Sequence, residues 1–427
     1  MYAAAALARH TNLLTGMDLA IFGPAIDHLS RGEAPVSEIK GFLIWGDHFH
    51  PLIAVLALPW KIWPDPRCLL IIQAICGGAS VAVTARAGVR IARHPAGALT
   101  GLALAVSPGM QSGLLFDFHE VGLGLPLLAL ALDAYLSGRW WRCAAWAGTL
   151  LLVKEDMPFL ALSIAIALAA RRRWAPAICL AAAALTWLVV VVGAVLPALH
   201  PGHVYGYRHT TQSPLGSLWT SLVSDGRGAT TTLILLCGTG FLGLRSPLIA
   251  AFALPALTRY AADNSHYWGL EFHYTMLAEV ALAFAALDGW RRIRGSQWSP
   301  TCTRALVLVG VCATTVVMTG PLAGAFTGPR NPTARLEAVR AAIERAPAGA
   351  AVLTESRLAP HTVPRLRARL LPPPARIAEV PTTTWLLLDL RSETVNPQWM
   401  RAQLATAPAT GRVAWTRAGI ALIAPAR

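Results

Sequence analysis

The sequence contains little charge for its length. Of its 427 residues, 14% are Asp, Glu, Lys or Arg and 55% are hydrophobic, and the mean hydropathy is +0.50. A soluble globular chain carries roughly 25% charged residues. The composition therefore excludes an ordinary soluble protein and indicates an integral membrane protein.

Motifs of several functional classes are also missing. No two of the seven cysteines have metal-ligand or redox spacing, so we interpret them as small buried hydrophobic residues. A helical His-Glu-x-x-His pair, which would indicate a membrane metallohydrolase, is absent. A visible internal repeat is absent as well, which disfavours the repeat-built transporters. The net charge of +14 comes from short arginine blocks rather than from one basic stripe, so we predict no nucleic-acid partner.

Long apolar runs are frequent in the sequence. Crossing a bilayer takes about 20 residues of helix, and the runs that approach this length are 68–85, 96–115, 121–136, 175–199, 230–244, 247–261, 274–287 and 305–322. Two shorter runs, 143–153 and 157–170, form a pair. The segment 51–63 is too short to cross comfortably, and we predict an interfacial helix there. The predicted fold class is an all-α polytopic membrane protein of about ten spans.

Arginine blocks between the runs give the predicted orientation, because basic residues concentrate at the cytoplasmic ends of spans. With those ends inside, alternation of the spans places every acidic motif on the outer face. It also leaves residues 1–67 outside with no span before them, so we expect a first helix upstream of Met1. The blocks are Arg86, Arg90 and Arg93; Arg139 and Arg142; Arg171, Arg172 and Arg173; Arg245; and Arg291, Arg292 and Arg294.

The composition changes near residue 328 to short alternating patterns. These predict a helix over 333–345, strands over 350–355 and 384–390, a helix over 397–406, and a hairpin from 413–416 and 419–424. Such a set is enough for one small α/β domain. The predicted organisation is a first outer loop with interfacial helices at 1–67, a multi-spanning helical membrane domain at 68–325, and an extracytoplasmic α/β domain at 326–427.

Four clusters of ionisable residues fall on the predicted outer face, where helix packing could gather them around one cavity. The first contains Asp18, Asp27, His28, Glu33, Asp47, His48 and His50; the second Asp117, His119 and Glu120; the third Lys154, Glu155 and Asp156; and the fourth Tyr207, Arg208, His209, Arg259, His266, Glu271, His273 and Tyr274.

The third cluster carries the most physical information. Its flanking apolar runs of about 11 and 14 residues are, at 1.5 Å per residue, shorter than a bilayer core of about 30 Å. The turn should therefore lie below the outer surface, where ionisable groups indicate function. A structural alternative is an internal ion pair of Lys154 with Glu155 or Asp156. For the second cluster the alternative is an exposed polar turn, and His48 with His50 and Asp47 could bind zinc.

The motifs follow one another in a recognisable order: "MDLAIF", "WGDHFHPL", "LLFDFHE", "LLLVKEDM" and "FHYTM", then a tail ending in "RAGIALI". In these motifs the chain resembles an uncharacterised family of bacterial multi-spanning membrane proteins, a domain of unknown function related to the GT-C membrane glycosyltransferases. The resemblance covers nearly the whole chain. It implies a GT-C-like fold and transfer of a sugar from a polyprenyl-phosphate donor to a cell-envelope acceptor on the outer face.

The resemblance also implies site residues. Asp18 and Asp117 match the acidic positions of the family, and Lys154 is the nearest candidate for holding the donor phosphate. The chemistry agrees, because an attacking hydroxyl needs a carboxylate to take its proton and the leaving phosphate needs a cation. We predict Asp18, Asp117 and Glu120 as catalytic. The further predicted substrate-binding residues are Glu155, Asp47, His48, His119, Arg208, Arg259, His273 and Tyr274, and the candidate ligands for a divalent cation such as Mg²⁺ or Mn²⁺ are Asp18, Asp117, His119 and Glu120.

The leading hypothesis is thus a membrane glycosyltransferase in the plasma membrane, with membrane lipids and a lipid-linked sugar as partners. Two alternatives belong to other classes. A transporter would place ionisable groups near mid-membrane, as Glu279 within its apolar run could. A non-catalytic protein would use the outer domain for sensing or binding.

Overall fold

The computed structural model describes residues 1–208, 213–293, 332–371, 384–391 and 412–425, and most of these residues are helical. The helices are α1 (Tyr2–Thr11), α2 (Met17–Ser30), α3 (Ile44–Asp47), α4 (Ala57–Ile62), α5 (Pro66–Ala92), α6 (Leu99–Ala105), α7 (Pro108–Leu115), α8 (Val121–Leu136), α9 (Trp140–Thr149), α10 (Met157–Ala170), α11 (Trp174–Val190), α12 (Leu196–Leu199), α13 (Pro214–Trp219), α14 (Arg227–Gly238), α15 (Ala250–Tyr260), α16 (Met276–Ile293) and α17 (Pro332–Arg345). The strands are β1 (Val36–Ser37), β2 (Phe42–Leu43), β3 (Ala351–Thr354), β4 (Arg367–Leu370), β5 (Trp385–Asp389), β6 (Arg412–Arg417) and β7 (Ile420–Ala424).

The chain divides into two compact units. Unit 1 joins Met1–Ile44, Ala54–Ile71 and Gly324–Arg427, and unit 2 joins Trp45–Ile53 and Ile72–Ala323. Residues from both ends of the chain therefore build unit 1, whereas unit 2 is the central helical part.

Unit 1 contains a five-stranded mixed sheet in the order β4-β3-β5-β7-β6. Strand β3 pairs in parallel with β4 and β5, and β7 pairs antiparallel with β5 and β6. Helix α17 packs on this sheet through Val339 and Ile343, which share one buried apolar cluster with Val352 and Leu422. The predicted strands over 350–355 and 384–390, the closing hairpin and the helix over 333–345 are confirmed, whereas the helix predicted over 397–406 lies outside the described residues.

The first part of the chain completes the core of unit 1. Leu13 and Ala20 belong to the same buried cluster as the sheet residues. The Trp60 indole is fully buried and donates a hydrogen bond to Asp27, 2.9 Å away. The side chains of Leu58 and Ile62 on α4 are 70% and 88% exposed, and such an apolar surface agrees with the interfacial helix predicted here.

Unit 2 is a bundle of helices, and among the described residues two helices of the chain are long and apolar enough to cross a membrane. They are Pro66–Ala92, whose larger part lies in unit 2, and Trp174–Leu199, which runs from α11 through a π-helical turn into α12. Shorter apolar helices are Pro51–Ile62, Val121–Leu136 and Met157–Ala170. The number of spans and their orientation remain predictions.

One predicted span is divided in two. The run 96–115 contains α6 and α7, which are separated at Val106 and Ser107. Pro108 begins α7 and explains the break, because proline has no backbone N–H and disfavours helical geometry in the residue before it.

Candidate functional site

In unit 2, the arginine blocks lie at one end of the helix bundle and the acidic and histidine motifs lie at the other. At one end Asp288 is fully buried and accepts hydrogen bonds from Arg171 (2.9 Å), Arg291 (2.6 Å) and Arg292 (3.1 Å). Nearby, the Asp133 carboxylate pairs with Arg90 at 2.8 Å. These contacts join the last turns of α5, α8 and α16 to the turn after α10. We call this end, with the arginine blocks that lie on it, the arginine end.

The acidic and histidine motifs lie at the opposite end of the same helices. The turn 117–120 precedes α8, the turn 154–156 precedes α10, and residues 271–275 precede α16. We call this group the polar cluster; its members in unit 2 are Asp47, His48, His50, Asp117, His119, Glu120, Lys154, Glu155, Asp156, Tyr207, Arg259, His273 and Tyr274.

The centre of the polar cluster is a buried ion pair. Lys154 Nζ lies 2.9 Å from Glu120 Oε1, and His119 Nδ1 lies 2.6 Å from Glu120 Oε2. Burial raises the pKa of Glu120, but His119 and Lys154 outweigh it and hold that pKa well below its ordinary range. Burial lowers the pKa of Lys154, but the Glu120 carboxylate outweighs it and holds that pKa well above its ordinary range. Both groups are therefore ionised at neutral pH.

This ion pair differs from the structural alternative considered from the sequence. That alternative paired Lys154 with its chain neighbours Glu155 or Asp156, whereas its partner is Glu120 of the preceding motif. The second and third motifs thus meet in space. Burial and the neighbouring Glu155 carboxylate raise the pKa of Asp156, although Lys154 opposes them.

Two imidazoles stack beside the ion pair. The ring centroids of His119 and His273 are 3.3 Å apart with an interplanar angle of 22°, and the Tyr274 ring lies 4.2 Å from His273. Burial, reinforced by His119 and Lys154, lowers the pKa of His273 well below its ordinary value. His273 is therefore neutral at physiological pH.

A second chain of contacts connects the loop 45–50 to the third motif. His48 Nδ1 lies 2.6 Å from Glu155 Oε1, and the Phe49 backbone N–H donates to Glu155 Oε2. On its other side His48 stacks on Tyr207 with centroids 4.3 Å apart, and the Tyr207 hydroxyl donates to Asp47. Through its two carboxylate oxygens, Glu155 thus fixes both a side chain and a backbone group of this loop. In the same loop, burial lowers the pKa of His50 to about 4.

Asp117 and its turn are held by a residue that the sequence reading missed. Gln73 donates from Nε2 to the Asp117 carbonyl and accepts at Oε1 from the His119 N–H, both at 2.8 Å. The Asp117 side chain is buried. Gln73 lies within the apolar run 68–85, and a buried amide inside such a run was the available signal.

The predicted phosphate ligands Arg259 and Arg208 have different environments. The half-buried Arg259 guanidinium donates to the carbonyls of Tyr267 (2.8 and 3.0 Å) and Tyr274 (2.6 Å). It thereby fixes the backbone on both sides of His273. Arg208 is exposed and is the last described residue before 209–212. His209 lies outside the described residues.

The remaining members of the first cluster belong to unit 1. Asp18 is half-buried in the first turn of α2, where the helix dipole favours a carboxylate. His28 contacts Glu33 (2.7 Å) and Glu38 (3.1 Å) through its two ring nitrogens. His28 and Glu38 also line a cavity of about 460 Å³ within unit 1.

The predicted cation dependence can be compared with the donors present in unit 2. Mg²⁺ and Mn²⁺ prefer sites rich in carboxylate, carbonyl and water oxygens. Around Glu120 the neighbours are instead imidazoles and the ammonium of Lys154, which already neutralises the carboxylate. The surroundings of Glu120 alone therefore do not favour a hard divalent cation, and the cation dependence expected from the sequence stays a prediction.

Comparisons with known proteins agree on the class of fold. The structure is similar to that of ArnT from Cupriavidus metallidurans bound to undecaprenyl phosphate, with a TM-score of 0.59 and 12% identity over 99% of this chain and 97% of that chain. It is also similar to ArnT in the apo state, with a TM-score of 0.55 and 13% identity over 99% and 96% of the two chains. No curated protein matches the chain.

The GT-C-like fold expected from the sequence motifs is therefore confirmed, together with a sheet domain near the carboxyl terminus. The profile of the family described as "Predicted membrane protein (DUF2079)" matches residues 9–415, nearly the whole sequence. The chain belongs to this family of predicted membrane proteins.

Proposed function

We propose that the protein is a membrane glycosyltransferase that moves a sugar from a polyprenyl-phosphate donor to a cell-envelope acceptor on the outer face of the plasma membrane. The observation that carries this proposal is the end-to-end fold similarity to a structure that contains undecaprenyl phosphate. The polar cluster adds support, because buried ionisable groups in a membrane protein indicate function. In this proposal the domain of unit 1 lies outside the cytoplasm.

Lys154 is the proposed anchor of the donor phosphate. Its ammonium is buried and stays charged, so it can offset the negative charge that the phosphate gains as the sugar leaves. Glu120 positions this ammonium in the free protein. His119 and His273 extend the polar surface beside it as hydrogen-bonding groups.

Asp18 is the proposed general base. The acceptor hydroxyl loses a proton as its oxygen attacks the anomeric carbon, and a carboxylate at hydrogen-bonding distance can take that proton. Asp18 is half-buried, so water and substrate can reach it. Asp117 is fully enclosed and is a weaker candidate for direct proton transfer. The hydroxyl proton then rests on the Asp18 carboxylate while the phosphate leaves with the bonding pair.

The test separates donor binding from transfer. Purified protein in proteoliposomes would be assayed for retention of undecaprenyl phosphate and for transfer from labelled undecaprenyl-phosphate hexoses and pentoses. We expect Asp18→Asn to retain binding and to lose transfer by roughly 100-fold or more. The paired variant Glu120→Gln/Lys154→Met should lose binding without leaving one charge buried alone.

Lys61→Met is the matched control, because Lys61 is an exposed lysine on α4. It should retain both properties. Full transfer by the Asp18 and Lys154 variants, correctly inserted, would contradict the assigned roles. Absence of transfer and of undecaprenyl-phosphate binding in the unmodified protein would favour the transporter or the non-catalytic alternative.

A further inference from the structure

We infer that the arginine end of unit 2 binds the headgroup of an anionic phospholipid at the two turns that begin α9 and α11. This binding is separate from sugar transfer and does not depend on it. Eleven arginines lie at this end, against the carboxylates of Asp133 and Asp288 among the described residues; the arginines are Arg86, Arg90, Arg93, Arg139, Arg142, Arg171, Arg172, Arg173, Arg245, Arg291 and Arg292.

The two carboxylates are already occupied. Asp288 binds three guanidiniums, and Asp133 binds those of Arg86 and Arg90. Within the described chain, Arg139, Arg142 and Arg172 are exposed and have no carboxylate partner. The residues 294–331 that follow α16 cannot supply one, because that stretch contains no Asp or Glu. Among the described residues and in 294–331, no further carboxylate is present to balance this charge, so it is available to anions from outside the chain.

The two turns are in contact with each other. The Arg173 guanidinium lies over the Trp140 ring at 5.0 Å, and this cation–π contact joins the start of α11 to the start of α9. Helix α9 begins directly after Arg139 and α11 directly after Arg173, and neither helix has a side-chain cap. Their first backbone N–H groups are therefore not bound by a capping side chain, and a helix N-terminus favours an anion, as the arginines beside it in the sequence do.

The apolar surface of α11 indicates which kind of anion binds here. Trp174–Leu199 has the length and composition of a membrane-crossing helix, and few of its apolar residues are buried. Ile178, Leu185 and Val189 on this helix are exposed by 50% or more. The chain belongs to a membrane protein family, so this face contacts acyl chains, and its first residues reach the headgroup layer. Trp141 and Trp174, in the first turns of α9 and α11, are exposed, as interfacial tryptophans are.

A lipid phosphate is thus the anion that the geometry brings to this position. Its acyl chains would lie along the exposed apolar face of α11, and its headgroup would meet Arg142 and Arg172. A soluble anion would gain only the second of these two contacts. The recognised chemistry is therefore a phosphate diester that carries acyl chains, and an uncharged or zwitterionic headgroup should bind less well.

The experiment uses the full chain purified in a neutral detergent. Phosphatidylglycerol and phosphatidylcholine with identical acyl chains would be titrated separately, and the bound lipid counted by native mass spectrometry. We expect the protein to prefer phosphatidylglycerol, and we expect added salt to weaken this preference. The double variant Arg142→Gln/Arg172→Gln should bind phosphatidylglycerol roughly tenfold more weakly.

The control is Arg357→Gln/Arg369→Gln, which removes two exposed arginines of unit 1 and should leave binding unchanged. Arg142→Lys/Arg172→Lys keeps the charge and should retain most of the affinity, which separates a binding defect from misfolding. Equal binding of the two lipids, an equal loss in the control, or full displacement of the lipid by glycerol 3-phosphate at equal concentration would overturn the inference.

Discussion

At the scale of single residues, the Glu120–Lys154 pair has the largest energetic consequence. Both side chains are almost completely buried, and their charged atoms are 2.9 Å apart. We expect Lys154→Met alone to destabilise the protein by about 3–5 kcal/mol, because it leaves a buried carboxylate without its cation. The double variant Glu120→Gln/Lys154→Met should lose clearly less stability than the single variant. Thermal unfolding in detergent measures both, and equal losses in the two variants would contradict an interaction between these groups.

The sequence predicts these residues better than their contacts. The motifs containing Asp117, Glu120 and Lys154 stand out because charge is rare in apolar segments. The partner of Lys154 was not predictable, since Glu120 lies 34 positions earlier and only helix packing brings the two together. Gln73 was missed for a related reason. The amide stands out inside an apolar run, but the backbone groups that it binds lie more than 40 positions later in the sequence and are brought to it only by helix packing.

At the scale of elements, the loop 45–50 depends on close contact with the end of the long helix Trp174–Leu199. A Cβ atom at Gly46 would lie 2.4 Å from the Leu199 carbonyl oxygen. We expect Gly46→Ala to cost about 1–3 kcal/mol, the range for overpacking, and to loosen the His48–Glu155 contact. Hydrogen exchange of residues 45–50 and the unfolding midpoint measure these effects.

Gly148→Ala in α9 is the matched control, because a Cβ there meets nothing within 4 Å. A methyl group at that position should leave stability unchanged or raise it slightly, since alanine favours helix over glycine. If Gly46→Ala left stability unchanged as this control should, the loop would lie farther from the Leu199 carbonyl than the structure shows.

The apolar runs of the sequence predicted where the helices lie, but not where a helix is interrupted. The run 175–199 corresponds to one continuous helical segment, whereas 96–115 is divided before Pro108. The short strand β4 was missed because it has only four residues, Arg367 to Leu370, and so few residues carry a weak signal even though polar and apolar side chains alternate. Helix α2 was also not predicted. It contains Pro24, and its burial depends on residues from the other end of the chain.

At the scale of the whole molecule, unit 1 joins the two ends of the chain, and one of its internal contacts is sensitive to pH. The rings of His10 and His361 stack with centroids 4.1 Å apart, and His10 Nδ1 lies 2.9 Å from Thr15 Oγ1. Burial lowers the pKa of His10 to about 4 and that of His361 well below its ordinary value. Both imidazoles are therefore neutral in the folded protein.

As the pH falls, the unfolded chain binds protons at these histidines near pH 6.5, whereas the folded protein binds them only at a lower pH. Their contribution to stability is thus complete above about pH 6.5 and is lost as the pH falls toward 4. For His10 the loss between pH 7.5 and 5 is about 2 kcal/mol. The fall in unfolding midpoint between these two pH values should be smaller in His10→Gln than in the unmodified protein. An identical fall in both would show that the ring titrates normally in unit 1.

The sorting of charge along unit 2 also has an electrical consequence. With guanidiniums in excess at one end of the bundle, the unit has a permanent dipole along its helices. A membrane voltage does work on such a dipole, about 2.3 kcal/mol for each elementary charge carried across 100 mV. A voltage that is negative on the side of the arginines lowers the energy of this orientation. If the arginine end is cytoplasmic, as the sequence predicts, the resting voltage of the cell favours the orientation in which the protein was inserted.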